Sequence, residues 1–86
     1  MEFYYSSTFK KQYKKLPAKT RAQFKTRLVM FVEDQNNPQL HIHKLQGEQN
    51  GLWGMNVTGD IRAVFDKKYN GVIMFEAIGS HSKLYS

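Results

Sequence analysis

The chain has 86 residues, of which 41% are hydrophobic and 14% aromatic, and it contains no cysteine. This length predicts one small domain spanning residues 1–86, and the apolar content is too high for a disordered chain. The lack of cysteine excludes a disulfide scaffold and a thiolate metal site. No apolar run of about 18 residues and no signal-peptide pattern occurs, so we expect a cytoplasmic protein without a membrane partner.

The net charge of +6 is unevenly distributed along the chain. Residues 3–32 hold eight basic side chains and no acidic one, which creates a field that attracts polyanions. Nucleic acid or an acidic protein is therefore a candidate partner, and a merely soluble basic face is the alternative. The basic residues are Lys10, Lys11, Lys14, Lys15, Lys19, Arg21, Lys25 and Arg27.

The first part of the chain predicts a strand followed by two helices. Residues 2–6 are aromatic between polar neighbours, which is typical of a short strand. Ser7 or Thr8 is expected to cap the first helix, and Pro17 separates it from the second, which lasts to about Asp34. Apolar residues at helical spacing form one stripe on each helix. They are Phe9, Tyr13 and Leu16 on the first helix, and Phe24, Leu28, Phe31 and Val32 on the second.

The rest of the chain consists of short apolar segments separated by turn residues. A loop at residues 35–39 is followed by segments at 40–45, 52–57, 61–66 and 72–78. Asn70 and Gly71 separate the last two segments and both tolerate positive φ, which predicts a hairpin with a type I′ turn. The order β-α-α-β-β-β predicts an α+β domain, with the helices packed on one face of an antiparallel sheet.

Arg62 is an unusual residue for the middle of an apolar strand. Strand alternation places it on the opposite face from Ile61 and Ala63. A guanidinium in such a position must be paired, either with a carboxylate of the protein or with a phosphate that approaches the open sheet face. The carboxylates considered as structural partners are Asp60, Asp66 and Glu76.

Polar residues are expected to converge at one end of the sheet. If the last two strands form a hairpin, the end away from the turn brings Asp60 and Arg62 beside His81. His41 and His43 are expected on one strand face, where a three-histidine metal site is conceivable. Two histidines near one bond also suit general acid–base catalysis. On a basic protein, this combination indicates phosphodiester chemistry.

Several motifs occur in an order that resembles a known family. They are His-Lys-Leu-Gln-Gly at residues 43–47, Trp53, Gly-Asp-Ile-Arg-Ala-Val-Phe at residues 59–65, and Ile-Gly-Ser-His-Ser-Lys-Leu-Tyr at residues 78–85. Together they resemble the RelE/ParE superfamily of toxins from type II toxin–antitoxin systems, and within it the YafQ-type ribonucleases. The resemblance covers essentially the whole chain and includes its size, charge and order of elements.

This resemblance implies an endoribonuclease that cleaves messenger RNA, typically on the ribosome, and that an adjacently encoded acidic antitoxin silences. It implies catalysis without a metal or other cofactor: the ribose 2′-hydroxyl attacks the adjacent phosphate while a base and an acid transfer protons. The lysine-rich helices and nearby lysines are expected to contact RNA or the antitoxin. The RNA-binding candidates are Lys11, Lys14, Lys15, Lys44 and Lys83.

The resemblance also implies roles for five residues. His43 and His81 match the family's acid–base histidines, without an indication of which is the base. Arg62 matches a phosphate-contacting arginine, and Asp60 an aspartate that orients a histidine or contacts RNA. Tyr85 matches a final aromatic residue that stacks on a base or positions the phosphate.

One departure from the family pattern concerns the proton relay. Some YafQ-type members have a further histidine where this chain has Asn56, which cannot transfer a proton at neutral pH. Two alternative functions stay open: a ParE-like inhibitor of gyrase, and a non-catalytic RNA-binding protein. In the second of these, Trp53 and Tyr85 would be core aromatics and Arg62 part of a structural ion pair.

Overall fold

The structure, a computed structural model, describes residues 1–85 apart from the side chain of Glu48. The elements in chain order are β1 (Glu2–Tyr5), α1 (Ser7–Lys14), α2 (Ala18–Glu33), β2 (His43–Lys44), a 3₁₀ turn (Gly47–Gln49), β3 (Trp53–Asn56), β4 (Ile61–Tyr69), β5 (Val72–Ser80) and α3 (His81–Tyr85). The predicted single domain spans residues 1–86, and Ser86 lies outside the described residues. Within residues 1–85, no helix is long and apolar enough to cross a membrane.

The five strands form one sheet in the order β1-β5-β4-β3-β2. The pairs β2–β3, β3–β4 and β4–β5 are antiparallel, whereas β1 runs parallel to β5. The predicted α+β class is confirmed, with β1 as the parallel exception to an otherwise antiparallel sheet. The segment predicted at residues 40–45 contributes only a two-residue strand, His43–Lys44.

The β4–β5 hairpin confirms the predicted pairing but not the predicted turn type. Tyr69 pairs with Val72 across Asn70 and Gly71. Gly71 has a φ of 80°. The one non-glycine residue with positive φ in the described chain is His41, so the φ of Asn70 is not positive. A type I′ turn needs positive φ at both central residues, so that prediction was wrong. The pairing instead shifts register between Lys67 and Tyr69 as the strands enter the turn.

Ser6 begins α1 and also fastens it to the sheet. Its hydroxyl accepts a hydrogen bond from the Phe9 amide at 3.0 Å and donates one to the Glu76 carbonyl at 2.9 Å. The prediction of Ser7 or Thr8 as the cap was therefore wrong by one or two residues. Further along α1, Gln12 accepts a bond from the Ile78 amide at 2.8 Å. These two side chains satisfy backbone groups of β5 beyond the point where β1 ends.

The main core lies between the two long helices and one face of the sheet. Phe24 packs against Phe75 with ring centroids 5.2 Å apart, and Phe31 packs against Phe65 at 5.4 Å, both nearly edge-to-face. Val32, which was predicted to belong to the apolar stripe of α2, is instead 57% exposed. One residue advances a helix by about 100°, which rotates Val32 away from the buried position of Phe31.

The opposite face of the sheet, here called the outer face, is partly covered by α3. Leu45 and Val64 are buried but lie outside the main core cluster. Leu84 of α3 lies over Gly79, where an added Cβ would be 3.6 Å from its Cδ2. No helix was predicted after residue 78, so α3 was missed. The helix is short, and its N-terminal cap is the Ser80 hydroxyl, which accepts a bond from the Lys83 amide at 3.3 Å.

Candidate active site

Sheet register brings the predicted polar residues to one end of the outer face. Arg62 pairs with Asn56 of β3 on one side and with Gly79 of β5 on the other. The His81 amide donates a hydrogen bond to the Asp60 carbonyl at 2.9 Å. The predicted approach of Asp60 and Arg62 to His81 is therefore present in the fold. The contact between Asp60 and His81 is made by the backbone, and the Asp60 side chain is exposed.

Gly54 is the point on the outer face where His43 and Tyr85 meet. A Cβ at this position would lie 2.5 Å from the Tyr85 hydroxyl and 3.1 Å from Cε1 of His43. His43 faces it because β2 and β3 pair His43 with Gly54. Tyr85 reaches it from α3, which follows β4 and β5 in the sequence. Only a residue without a side chain leaves room for this contact, since Cβ atoms do not approach other atoms so closely.

The ring of His43 is held in one orientation by the backbone. Its Nδ1 lies 2.8 Å from the His41 carbonyl oxygen. Because a carbonyl oxygen can only accept, Nδ1 carries the hydrogen and the lone pair of the neutral ring is on Nε2. His41 has a φ of 47° and lies outside β2, so the expectation of two histidines on one strand face was wrong. The two rings nevertheless lie 4.9 Å apart.

Tyr85 contacts both histidines of the predicted acid–base pair. Its hydroxyl lies beside His43 over Gly54, and its ring packs edge-on against His81 with centroids 4.7 Å apart. The hydroxyl oxygen is buried and has no hydrogen-bond partner among the described residues. Burial raises the pKa of Tyr85, and the positive charge of Arg62 acts in the opposite direction. Tyr85 is therefore a protonated hydrogen-bond donor at neutral pH.

The guanidinium of Arg62 is held by the β3–β4 turn. Its Nη1 donates to the carbonyl oxygens of Thr58 at 2.9 Å, Gly59 at 3.1 Å and Ile61 at 3.2 Å. Among the described side chains no carboxylate forms an ion pair with it, and its hydrogen bonds within the protein are made by Nη1. The structural pairing with a carboxylate is thus absent from the described residues, and the pairing with a phosphate stays a prediction.

Two further side chains at the outer face have a buried oxygen without a hydrogen-bond partner in the described structure. Oδ1 of Asn56 and Oε1 of Gln49 are buried without a hydrogen-bond partner in the described chain. Gln49 uses its Nε2 to donate to the Leu84 carbonyl, which ties α3 to the 3₁₀ turn before β3. Buried polar atoms are usually paired, so these two oxygens and the Tyr85 hydroxyl are positions where a polar ligand or water could bind.

Comparisons with known proteins identify the family of this chain. The sequence matches the YafQ family, described as a bacterial toxin of type II toxin–antitoxin systems, over residues 1–86. The chain belongs to the YafQ toxin family. The resemblance inferred from the sequence motifs, to the YafQ type within the RelE/ParE superfamily, is thereby confirmed. A comparison with curated proteins gave no significant match.

Solved toxin structures share the fold of this YafQ-family chain. YafQ from E. coli is 20% identical, with a TM-score of 0.78 over 99% of this chain and 98% of that one. The toxin in the DinJ–YafQ complex of E. coli is 21% identical, with a TM-score of 0.75 over 99% and 98%. The RelB–RelE complex of Methanococcus jannaschii gives 19% identity and a TM-score of 0.74 over 96% and 95%. At these identities, the likeness concerns the fold.

The five lysines predicted to bind RNA are all exposed, but they occupy different surfaces of this YafQ-family protein. Lys83 is on α3, beside His81. Lys11, Lys14 and Lys15 are at the C-terminal end of α1, which Gln12 places beside the end of β5. Lys44 is next to His43 in β2, but its side chain turns to the other face, with its Nζ 5.5 Å from the Trp53 ring centroid.

Gly54 and Gln49 were not identified from the sequence. A glycine in a strand interior suggests close approach of another group, and this signal was available for Gly54. Nothing local marks Gln49, because its partner Leu84 is 35 residues away in the sequence. With the side chains of Glu48 and Ser86 left aside, no three His, Asp or Glu side chains form a group that could hold a metal ion.

Proposed function

We propose that this YafQ-family protein is a metal-free endoribonuclease that cleaves messenger RNA. One observation carries the proposal: the Nε2 lone pair of His43 is free beside the buried, unpaired hydroxyl of Tyr85 on a face that also contains Arg62. A base, a hydrogen-bond donor and a cation within one site are the groups that 2′-hydroxyl attack on a phosphate requires.

In the proposed reaction, His43 is the base. Its Nε2 removes the proton from the ribose 2′-hydroxyl, and the resulting oxygen attacks the adjacent phosphorus. The bond from phosphorus to the 5′-oxygen then breaks, leaving a 2′,3′-cyclic phosphate on one product. His81, whose side chain is exposed and packed against Tyr85, gives a proton to the departing 5′-oxygen. The two histidines exchange roles if the cyclic phosphate is later hydrolysed.

Three residues support this proton transfer in the proposal. The donors of Arg62 that the β3–β4 turn leaves free bind the phosphate oxygens and stabilise their developing charge. The Tyr85 hydroxyl donates a further hydrogen bond to the phosphate. Asp60, exposed beside the backbone contact with His81, orients the protonated imidazole or contacts the RNA. Asn56 replaces a family histidine and can accept hydrogen bonds but not protons, so the relay uses two histidines.

The proposed partners follow from charge and from the solved relatives. In the proposal, the RNA and the ribosome are attracted by Lys11, Lys14, Lys15, Lys44 and Lys83, and we expect the activity in the cytoplasm. The structures of related toxins include DinJ–YafQ and RelB–RelE complexes. We therefore expect a cognate antitoxin, acidic to complement the charge of +6 and encoded beside the toxin gene.

A ribosome-programmed translation reaction tests the proposal. Purified protein should cleave the messenger RNA at mapped sites, and His43→Ala or His81→Ala should slow cleavage by roughly 10²- to 10⁴-fold, the usual contribution of a general acid or base. Gln23→Ala, an exposed substitution on α2, is the control and should cleave like wild type. A 2′-deoxy nucleotide at the cleaved position should abolish cleavage there.

The same preparation distinguishes the alternatives. Inhibition of DNA supercoiling by gyrase without cleavage of RNA would replace the ribonuclease proposal with the ParE-like function. Binding of RNA without cleavage would indicate a non-catalytic member of the fold. Cleavage that persists unchanged in both histidine variants would contradict the assigned acid–base pair.

A further inference from the structure

A polar cleft lies beside the candidate active site, at the edge formed by β2, β3 and the α2–β2 loop. Its volume is about 440 Å³. Trp53 and Lys67 form one wall, His41 another, and the loop contributes the amides of Asn36 and Asn37. We call it the Trp53 cleft. It contains none of the residues proposed to catalyse cleavage.

Two ammonium groups are held around the indole ring of Trp53. The Nζ of Lys67 lies 3.9 Å from the ring centroid and that of Lys44 lies 5.5 Å from it. Sheet register causes this convergence, because Lys44 and Phe65 flank Trp53 in the neighbouring strands and Lys67 follows Phe65 by two residues. An aromatic face attracts cations within about 6 Å, which favours positions of these exposed side chains near the ring.

The positive charge of these two lysines is not neutralised by the described part of the protein. The one ion pair found among the described side chains joins Lys68 to Asp66 at 3.3 Å, and it involves neither Lys44 nor Lys67. Two cations drawn to one ring repel each other, and an anion bound between or beside them relieves that repulsion. The anion that fits a cleft with amide and imidazole donors is a phosphate.

The Trp53 cleft and the candidate active site lie on either side of the β2 edge of the sheet, and His41 connects them. His41 lines the cleft, and its ring lies 4.9 Å from the ring of His43. A nucleic acid strand whose scissile phosphate lies at His43 would therefore pass His41 and enter the cleft within a short distance. Its phosphates would meet Lys44 and Lys67, and an unstacked base would meet the aromatic and amide groups.

We propose that the Trp53 cleft binds the single-stranded RNA that flanks the cleaved bond, with Lys44 and Lys67 contacting its phosphates. This inference rests on the proposed ribonuclease site at His43. RNA is favoured over an acidic peptide because the lining is polar and aromatic, whereas an amphipathic peptide helix needs an apolar groove.

Salt-dependent binding tests the proposal without catalysis. The probe is a 2′-O-methyl RNA strand of about 12 nucleotides, a length within the usual range of single-strand sites, and it cannot undergo 2′-hydroxyl attack. For the double variant Lys44→Gln with Lys67→Gln, the plot of log affinity against log salt should be shallower by about 1.4. Each phosphate contact on a single strand contributes about 0.7 to this slope.

A matched control makes the result specific. The double variant Lys19→Gln with Lys25→Gln changes the net charge equally on exposed positions of α2 that do not line the Trp53 cleft. Any general loss of attraction to RNA appears in this control as well, and the cleft variant should lower the slope more than the control does. Equal slopes in the two double variants would overturn the proposal, as would failure of the wild-type protein to bind the strand. A loss of binding to a poly-glutamate peptide, with RNA binding retained, would overturn it in favour of a protein partner.

This outcome is separable from that of the ribonuclease proposal. Binding of the methylated strand requires no proton transfer, so the cleft can be confirmed even if the wild-type protein does not cleave. Conversely, cleavage with equal slopes in both double variants would leave the active site in place and remove the cleft from the RNA path.

Discussion

At the scale of single residues, the candidate site depends on the missing side chain of Gly54. The Tyr85 hydroxyl, the His43 ring and Leu45 all approach the position that a Cβ would occupy, the last at 3.2 Å. The backbone of Gly54 lies outside the positive-φ region, so the glycine is required for space and not for conformation. This makes residue 54 a sensitive probe of the site.

Gly54→Ala should damage both activity and stability. Overpacking of this kind costs roughly 1–3 kcal/mol, and a displacement of about 1 Å at a catalytic group can cost about 100-fold in rate. Chemical denaturation and the cleavage assay measure the two effects. Gly59→Ala is the matched control, because a Cβ there meets nothing within 4 Å. Full activity and stability in Gly54→Ala would show that Tyr85 does not lie over this glycine.

Tyr85→Phe should separate stability from function. The hydroxyl is buried without a partner, so its removal should change the free energy of unfolding by less than about 0.5 kcal/mol or increase it. If the hydroxyl binds the phosphate, cleavage should slow by roughly 100-fold, as for loss of one donor to a developing oxyanion. Tyr4→Phe, on an exposed tyrosine, is the control. Unchanged cleavage in Tyr85→Phe would assign Tyr85 to packing alone.

The sequence predicted some of these residues and not others for a physical reason. Strand alternation and hairpin pairing are local rules, and they were enough to bring Arg62 beside Gly79 and His81. The contact of Tyr85 with His43 depends on how α3 folds back over the sheet, which no local rule determines. His43 and Tyr85 were therefore named through family resemblance, and their meeting at Gly54 was not foreseen.

At the scale of elements, α1 has a double role as a core helix and as the cover of an exposed strand edge. Strand β1 pairs with β5 only up to Phe75, and beyond it Ser6 and Gln12 bind the backbone of Glu76 and Ile78. An uncovered strand edge is a site of aggregation, so this arrangement protects the edge of β5. It also fixes the start of α1, since Ser6 is both its cap and its link to the sheet.

Ser6→Ala should therefore destabilise the fold by about 1–2 kcal/mol, through loss of a helix cap and of the bond to Glu76. Ser7→Ala is the matched control, because Ser7 is the next residue and is exposed, and it should change stability by less than about 0.5 kcal/mol. Urea denaturation measures both. A larger effect for Ser7 would restore the sequence-based assignment of the cap.

Element order was predictable, whereas two features of the elements were not. Hydrophobic spacing and turn residues indicated both helices and the β4–β5 hairpin. Nothing in Glu2–Tyr5 indicates that this strand pairs with β5, 70 residues later, in the parallel direction. Helix α3 was missed because five residues provide little periodicity, and its stabilising contacts, from Gln49 and over Gly79, come from elsewhere in the chain.

At the scale of the whole molecule, the two faces of one sheet serve different purposes. The helical face buries the aromatic core, and the outer face holds the candidate active site under α3. Tyr5 lies on the helical face, where it is stacked on Phe75, and Tyr85 lies on the outer face. Each face thus contains a partly buried tyrosine whose ionisation reports on the folded state.

Global stability should fall at high pH because of these two tyrosines. Burial raises the pKa of both Tyr5 and Tyr85, whereas a tyrosine in an unfolded chain ionises near pH 10. Above about pH 10 the unfolded state therefore binds fewer protons than the folded state, and the free energy of unfolding decreases as pH rises. Below that pH the folded and unfolded states both retain the tyrosine protons, so these two groups do not change the free energy of unfolding.

Urea denaturation at about pH 9 and about pH 11, on either side of the ordinary tyrosine pKa, measures this fall. The fall in the free energy of unfolding should be smaller in Tyr5→Phe and in Tyr85→Phe than in wild type. It should be smallest in the double variant, because the two tyrosines lie on opposite faces and act independently. Comparison of the variants cancels the titration of lysines, which all of them share. An equal fall in wild type and Tyr85→Phe would show that the outer-face tyrosine is solvated, and would remove the basis for a buried hydroxyl beside His43.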